Sequence, residues 1–193
     1  MAKIVYVKTG VTKGRVLIGI DSDGESRSYS VTEETYVAIG APTRYTELSD
    51  RDFDTVCAED ERYRTMKRAV SILAASDKSA YTVKTKLYQA GFSRESIDEA
   101  VCECIGRGYI DEQRQLRRLI EKEANEALRG RFYIKRKLLS KGYRGADIDR
   151  VTAELTDEGE VDFRVNFERL CEKKGAISDE EKRVLAYKFG YKA

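Results

Sequence analysis

Apolar positions along this chain change their spacing near residue 48. Before it, short β-branched runs dominate: KIVYVK (3–8) and RVLIGI (15–20), separated by the turn-rich TGVTKG. DSDGES is a second turn and RSYS (27–30) a third short strand, which predicts a small antiparallel sheet. Ser30-Val31-Thr32-Glu33 has capping-box spacing, and TEETYVAI follows as a short helix to Gly40, with Pro42 beyond.

From Ser49 onward the apolar residues recur at helical spacing. Ser49 caps a helix whose early acids (Asp50, Asp52, Asp54) suit a helix N-terminus. The pattern runs on through Met66, Ala69, Val70 and Leu73, as one helix or two. Ser79 opens the next. Glu112–Leu128 is the most strongly helical stretch, with Leu116, Leu119, Ile120, Ala124 and Ala127 as its buried stripe and Gly130 as its stop. A later helix carries Val165, Phe167, Leu170 and Cys171 and ends near Gly175. Ser178-Asp179-Glu180-Glu181 is a further capping box, opening a helix through Leu185 and Phe189 to Gly190 and Tyr191.

The helical part contains its own repeat. Lys86–Asp111 returns, shifted by 51 positions and without a gap, as Lys137–Asp162, with eight of 26 positions identical. The identities include Leu87/Leu138, Gly91/Gly142, Ile97/Ile148, Gly108/Gly159 and Asp111/Asp162. Val83, Leu87 and Ala90 face inward, and a glycine suited to left-handed torsions ends the helix. An aromatic (Phe92 or Tyr143) then folds back on it. Ser93 caps a second helix with an Ile97, Ala100, Val101, Cys104 and Ile105 face, Gly108 stops that helix and Asp111 caps the next. Self-similarity at a fixed period marks stacked supersecondary units. The expected architecture is mainly α: tandem three-helix repeats in a curved array behind a small β-rich N-terminal region. Its divisions are 1–48, 49–110, 111–160 and 161–193, the third repeat lacking its last helix.

Composition narrows the function. With 41% apolar and 36% charged residues, the chain is folded and highly soluble. No run approaches a membrane span and the start lacks a leader pattern, so a cytoplasmic location is expected. The net charge of +2 is unevenly spread. Residues 1–60 carry 7 basic and 11 acidic side chains, whereas residues 131–155 carry 7 and 3. The repeats thus favour an anionic partner.

The glycine–aromatic corners and GYIDEQR (108–114) resemble the RecX family of recombinase regulators. Leu87, Gly91, Phe92, Ile97, Gly108, Tyr109, Ile110 and Asp111 match its pattern. So do Leu138, Gly142, Tyr143, Ile148, Gly159, Val161 and Asp162, with Glu160 departing where an aromatic is usual. DGESRSYSVTEETYVAIGAP (23–42) resembles the small region some members carry before the repeats. The resemblance implies an array of three-helix units that lies in the groove of the RecA recombinase filament and suppresses its ATP hydrolysis and strand exchange. It also implies a role in recombination and DNA repair.

Eleven cations are the candidate contacts. Arg129–Arg144 holds seven basic residues and no acid: Arg129, Arg131, Lys135, Arg136, Lys137, Lys141 and Arg144. They read either as contacts to phosphates or to an acidic filament surface, or as a solvated helix face around Ile134, Leu138 and Leu139. The interleaved Phe132, Tyr133 and Tyr143 either stack on bases or occupy core positions. Arg107, Arg114, Arg117 and Arg118 form a second cluster, for which ion pairs to Glu121 are the simpler account. Direct binding of single- or double-stranded DNA, with helix-turn-helix-like units, is the alternative function. Cys102 and Cys104 read as interior positions rather than metal ligands. The chain has no histidine, no nucleophile–base pair and no phosphate-binding glycine motif, so no enzyme activity, cofactor or metal is expected. A monomer is expected.

Overall fold

The computed structural model describes residues 2–9, 12–176 and 178–192. Gly10 and Val11 of the first expected turn lie outside the described residues. The chain is mainly helical, with one small N-terminal antiparallel sheet. It divides into two compact units: residues up to Ser71 with Lys86–Glu103, and Ile72–Thr85 with Cys104 onward.

In the first unit, β1 (Ala2–Thr9), β2 (Arg15–Ser22), β3 (Glu25–Thr32) and β4 (Glu47–Leu48) form a sheet in the order β3-β2-β1-β4. β1–β2 and β2–β3 are antiparallel neighbours, with a register shift between Ile4 and Tyr6. Ile4, Val16, Ile18, Ile20 and Val31 cluster with Val56 of α2 (Asp50–Ala75), against which Phe53 and Leu48 also pack. β3 is an edge strand, and its outward amides would otherwise be open to non-native pairing. Carboxylates of α2 occupy them: Ser30 N–H donates to Asp60 at 2.8 Å and Thr32 N–H to Glu59 at 2.7 Å. Ser30 is not a helix cap because it is still paired with Leu17 in the sheet and its hydroxyl accepts from Arg15 Nε at 2.9 Å. Thr32, the last residue of β3, caps α1 (Glu33–Ala38) instead, its hydroxyl accepting from the Thr35 amide. Ser49 caps α2 as its sequence predicts, and α2 is one continuous helix.

The 51-residue period is written into the backbone. α3 (Ala80–Gln89) and α6 (Arg131–Ser140) have ten residues each; α4 (Arg94–Gly106) and α7 (Gly145–Asp157) have thirteen. Every bound differs by 51. Gly91 and Gly142 have φ +84° and +81°, and the next amide reaches back five residues in both copies, Phe92 to Leu87 and Tyr143 to Leu138. Asp111 and Asp162 cap α5 (Glu112–Glu121) and α8 (Phe163–Lys174). α9 (Asp179–Phe189) opens on the Ser178/Glu181 capping box and ends at Gly190, φ +80°, where Tyr191 N–H reaches back to Ala186.

The second unit's core joins α5, α6 and α7 through Leu116, Ile120, Ile134, Leu138, Tyr143, Ile148, Val151 and Leu155. Tyr143 O–H donates to Gln115 Oε1 at 2.8 Å inside it. Glu112–Leu128 is not one α-helix: after Glu121 the chain widens into a π-helical turn, Lys122–Glu126, and Leu128 turns at φ +50°. The turn buries Leu128 and exposes Ala127, the reverse of a straight 3.6-residue stripe. It also places Asn125, which accepts from the buried Asn166 of α8 at 2.8 Å and donates to the Glu160 carbonyl at 2.9 Å. Gly130 does not stop this helix. It is the N-cap of α6. Ala90, Ile105, Leu139 and Val165, expected inside, are exposed, as is Cys102, whereas Cys104 is buried.

Candidate partner-binding surface

Gly130 starts α6 where α9 ends. Gly130 N–H donates to the Phe189 carbonyl at 2.8 Å, and Phe132 N–H to the Gly190 carbonyl at 3.1 Å. Amides at a helix start lack intrahelical partners, as do carbonyls at a helix end, so each terminus satisfies the other. The contact requires glycine on both sides. A Cβ on Gly130 would fall on the Gly190 carbonyl, and one on Gly190 would fall on the Tyr133 amide. Arg129 locks the junction from outside, its guanidinium 4.4 Å from the Tyr133 ring centre and 4.5 Å from that of Phe189.

This junction sets the side chains that follow. Phe132, Tyr133 and Arg136 of α6 face Tyr187, Lys188 and Tyr191 across a cleft of about 460 Å³. Phe132 is 60% exposed and Tyr187 89%, so Phe132 is no core residue. Tyr191 packs on Phe167 with ring centres 4.9 Å apart, and burial pushes its hydroxyl up to about 12. A second cleft, of about 440 Å³, lies at Asp77, Lys78, Ser79, Arg118, Lys141 and Tyr143. There Ser79 and Thr82 hydroxyls both donate to the Lys141 carbonyl, at 2.7 and 2.9 Å.

All eleven candidate cations lie in the second unit, and the structure sorts them. Arg117 binds Glu158 with Glu154 close by, and Arg118 binds Asp77; neither pairs with Glu121 as helix spacing suggests. The Arg117 guanidinium holds the Glu158 carboxyl below its usual range. Arg114 sits 3.8 Å from its own cap, Asp111. Lys135 pairs with Asp149 at 2.5 Å and Lys137 with the largely buried Glu123 at 2.6 Å. Arg107 is exposed at the end of α4. Arg131, Arg136, Lys141 and Arg144 are also exposed, and among the described residues no carboxylate comes within ion-pair distance of them.

Sequence reasoning missed Tyr187, Lys188 and Lys78. For Tyr187 a signal existed: it stands three residues before Gly190, as Tyr88 and Leu139 stand before Gly91 and Gly142. All three side chains are exposed.

No family model matches the chain. It is 29% identical over 158 residues to a "Regulatory protein RecX" of Lactobacillus johnsonii, covering 82% of this chain and 57% of that one. It is 27% identical over 188 residues to a protein of the same name from Lactobacillus gasseri, covering 97% and 68%. A solved structure described as regulatory protein RecX superposes over 98% of this chain and 93% of its own, with a TM-score of 0.69 at 19% identity. The chain is similar to RecX regulatory proteins in sequence, and it shares the fold of their solved structures. RecX from Lactobacillus salivarius shares the fold over 64% of this chain and 80% of its own, with a TM-score of 0.53 at 20% identity. The chain spans 57% of the length of its Lactobacillus johnsonii RecX relative. Among the described residues no helix is long and apolar enough to cross a membrane, and no group of three or more metal-ligating side chains gathers.

Proposed function

We propose that this RecX-like chain regulates a RecA-type recombinase by binding its filament on DNA and lowering ATP hydrolysis and strand exchange. Similarity to proteins named as regulators supports the role. The observation that carries the binding site is the set of unpaired, exposed cations Arg131, Arg136, Lys141 and Arg144; Arg107, Arg114 and Arg129, each already engaged within the chain, are secondary contacts. Lys135, Lys137, Arg117 and Arg118 are held by carboxylates and contribute less charge to a partner. In this reading the modules 49–110, 111–160 and 161–193 each contact the filament, so that binding gains from effective concentration along a repeating partner. The chain acts as a cytoplasmic monomer without catalysis of its own.

The test is recombinase ATPase on single-stranded DNA, titrated with the protein at fixed salt. Inhibition at ratios well below one protein per recombinase supports filament binding. Inhibition that appears only once free DNA is saturated rejects it in favour of direct DNA binding.

A further inference from the structure

The cleft between α6 and α9 has a composition that the fold does not require. Tyr187 and Phe132 expose their rings to solvent, and neither belongs to the core. Arg136 and Lys188 flank them, and among the described residues no carboxylate lines the cleft. Large exposed aromatics beside unpaired cations mark a surface kept for a ligand rather than for packing. The ligand must be anionic and must offer flat apolar faces. A duplex hides its base faces in the stack, whereas a single strand presents them, and base–aromatic stacking with cationic phosphate contacts is how such strands are held.

We propose that this cleft binds single-stranded nucleic acid, with a base stacked on Tyr187 and bracketed by Phe132, and the adjoining phosphate held by Arg136 and Lys188. The glycine contact between Gly130 and Gly190 fixes the two helix ends, so the rings and cations are positioned before the strand arrives. This site shares Arg136 with the proposed recombinase-binding surface but needs no recombinase to operate.

The test is fluorescence anisotropy of a labelled oligothymidylate of about 20 nucleotides with the full chain, alongside an abasic strand of equal length. Tyr187→Ala is expected to weaken oligothymidylate binding about 10-fold, Tyr187→Phe to leave it near the parent, and Arg136→Gln with Lys188→Gln to flatten its salt dependence. The abasic strand should bind the parent about 10-fold more weakly and be indifferent to Tyr187→Ala. Equal affinity for the abasic strand, no effect of Tyr187→Ala, or equal competition by polyglutamate would each overturn the proposal. Because the assay contains no recombinase, its failure is distinguishable from a failure of the ATPase titration. Tyr187 is exposed enough that its loss leaves folding intact, which far-UV circular dichroism checks.

Discussion

The Phe132 amide donates to the Gly190 carbonyl at 3.1 Å, so the last residue of one helix motif caps the first turn of a helix almost sixty positions earlier. A side chain at either glycine would push these backbones apart. Gly190→Ala also forces a β-carbon into left-handed torsions. We expect Gly190→Ala to cost roughly 2–4 kcal/mol in urea unfolding. Gly159→Ala, at φ +78° with open space around it, should cost only about 1 kcal/mol. Equal costs would mean that torsion alone, and not the backbone contact, sets the requirement.

The buried Tyr143–Gln115 hydrogen bond gives a second expectation. Tyr143→Phe leaves the amide oxygen of a buried glutamine without its donor, at a cost of about 1–3 kcal/mol by thermal or urea denaturation. Tyr143→Phe with Gln115→Leu should recover part of that loss, since both polar groups then leave together.

Alkaline pH probes the same tyrosine. Burial, with the Glu112 and Asp77 charges adding to it, pushes the Tyr143 hydroxyl up to about 12, and burial does the same at Tyr191. In the unfolded chain these groups ionise near 10, so between about 10 and 12 the unfolded state binds fewer protons than the folded one. Stability should be fully retained below pH 10 and fall as pH rises toward 12. The slope of unfolding free energy against pH should be shallower in Tyr143→Phe and in Tyr191→Phe.

The basic surface separates by mutation into structural and available charge. Lys137→Gln strips the partner from the largely buried Glu123 and is expected to cost about 1 kcal/mol. Arg131→Gln, Arg136→Gln, Lys141→Gln and Arg144→Gln together should leave the urea midpoint within about 0.5 kcal/mol of the parent. The same fourfold variant should raise the concentration needed for half-inhibition of recombinase ATPase by at least about fivefold. Undiminished inhibition removes these residues from the proposed interface.

Asp60 offers a test of how the sheet is held. Its carboxylate takes the Ser30 amide of the edge strand, and it is 6% exposed. Asp60→Ala should cost about 1–3 kcal/mol, with hydrogen exchange at Ser30 accelerating more than at β1 amides.

The parts of this fold legible in the sequence are those whose cause is local. Gly91, Gly142 and Gly190 mark left-handed corners, and Asp111, Asp162 and Ser178 are caps, because each needs only a few neighbours to act. The 51-residue period follows from them. What stayed hidden depends on residues far along the chain. Arg117 and Arg118 have Glu121 at helix spacing, yet each takes a partner 41 positions away because the fold brings Glu158 and Asp77 within reach. Ser30 has capping-box spacing to Glu33, yet pairing with Leu17 and the Arg15 guanidinium on its hydroxyl keep it in the strand. The π-helical turn has no signature in KEANE alone; its anchors are Asn166 and Glu160 on later segments. Within the candidate surface, the charge of Arg129–Arg144 was readable, but not which members are already neutralised.

One consequence follows from the glycine junction of α6 and α9. Backbone atoms weld the two helices, while the side chains that would meet a visitor, the Phe132 ring included, hang outside the weld. Mutation can therefore strengthen, weaken or retarget what docks here while the architecture stays silent. Drift at the rim changes grip; drift at the weld changes whether there is a rim.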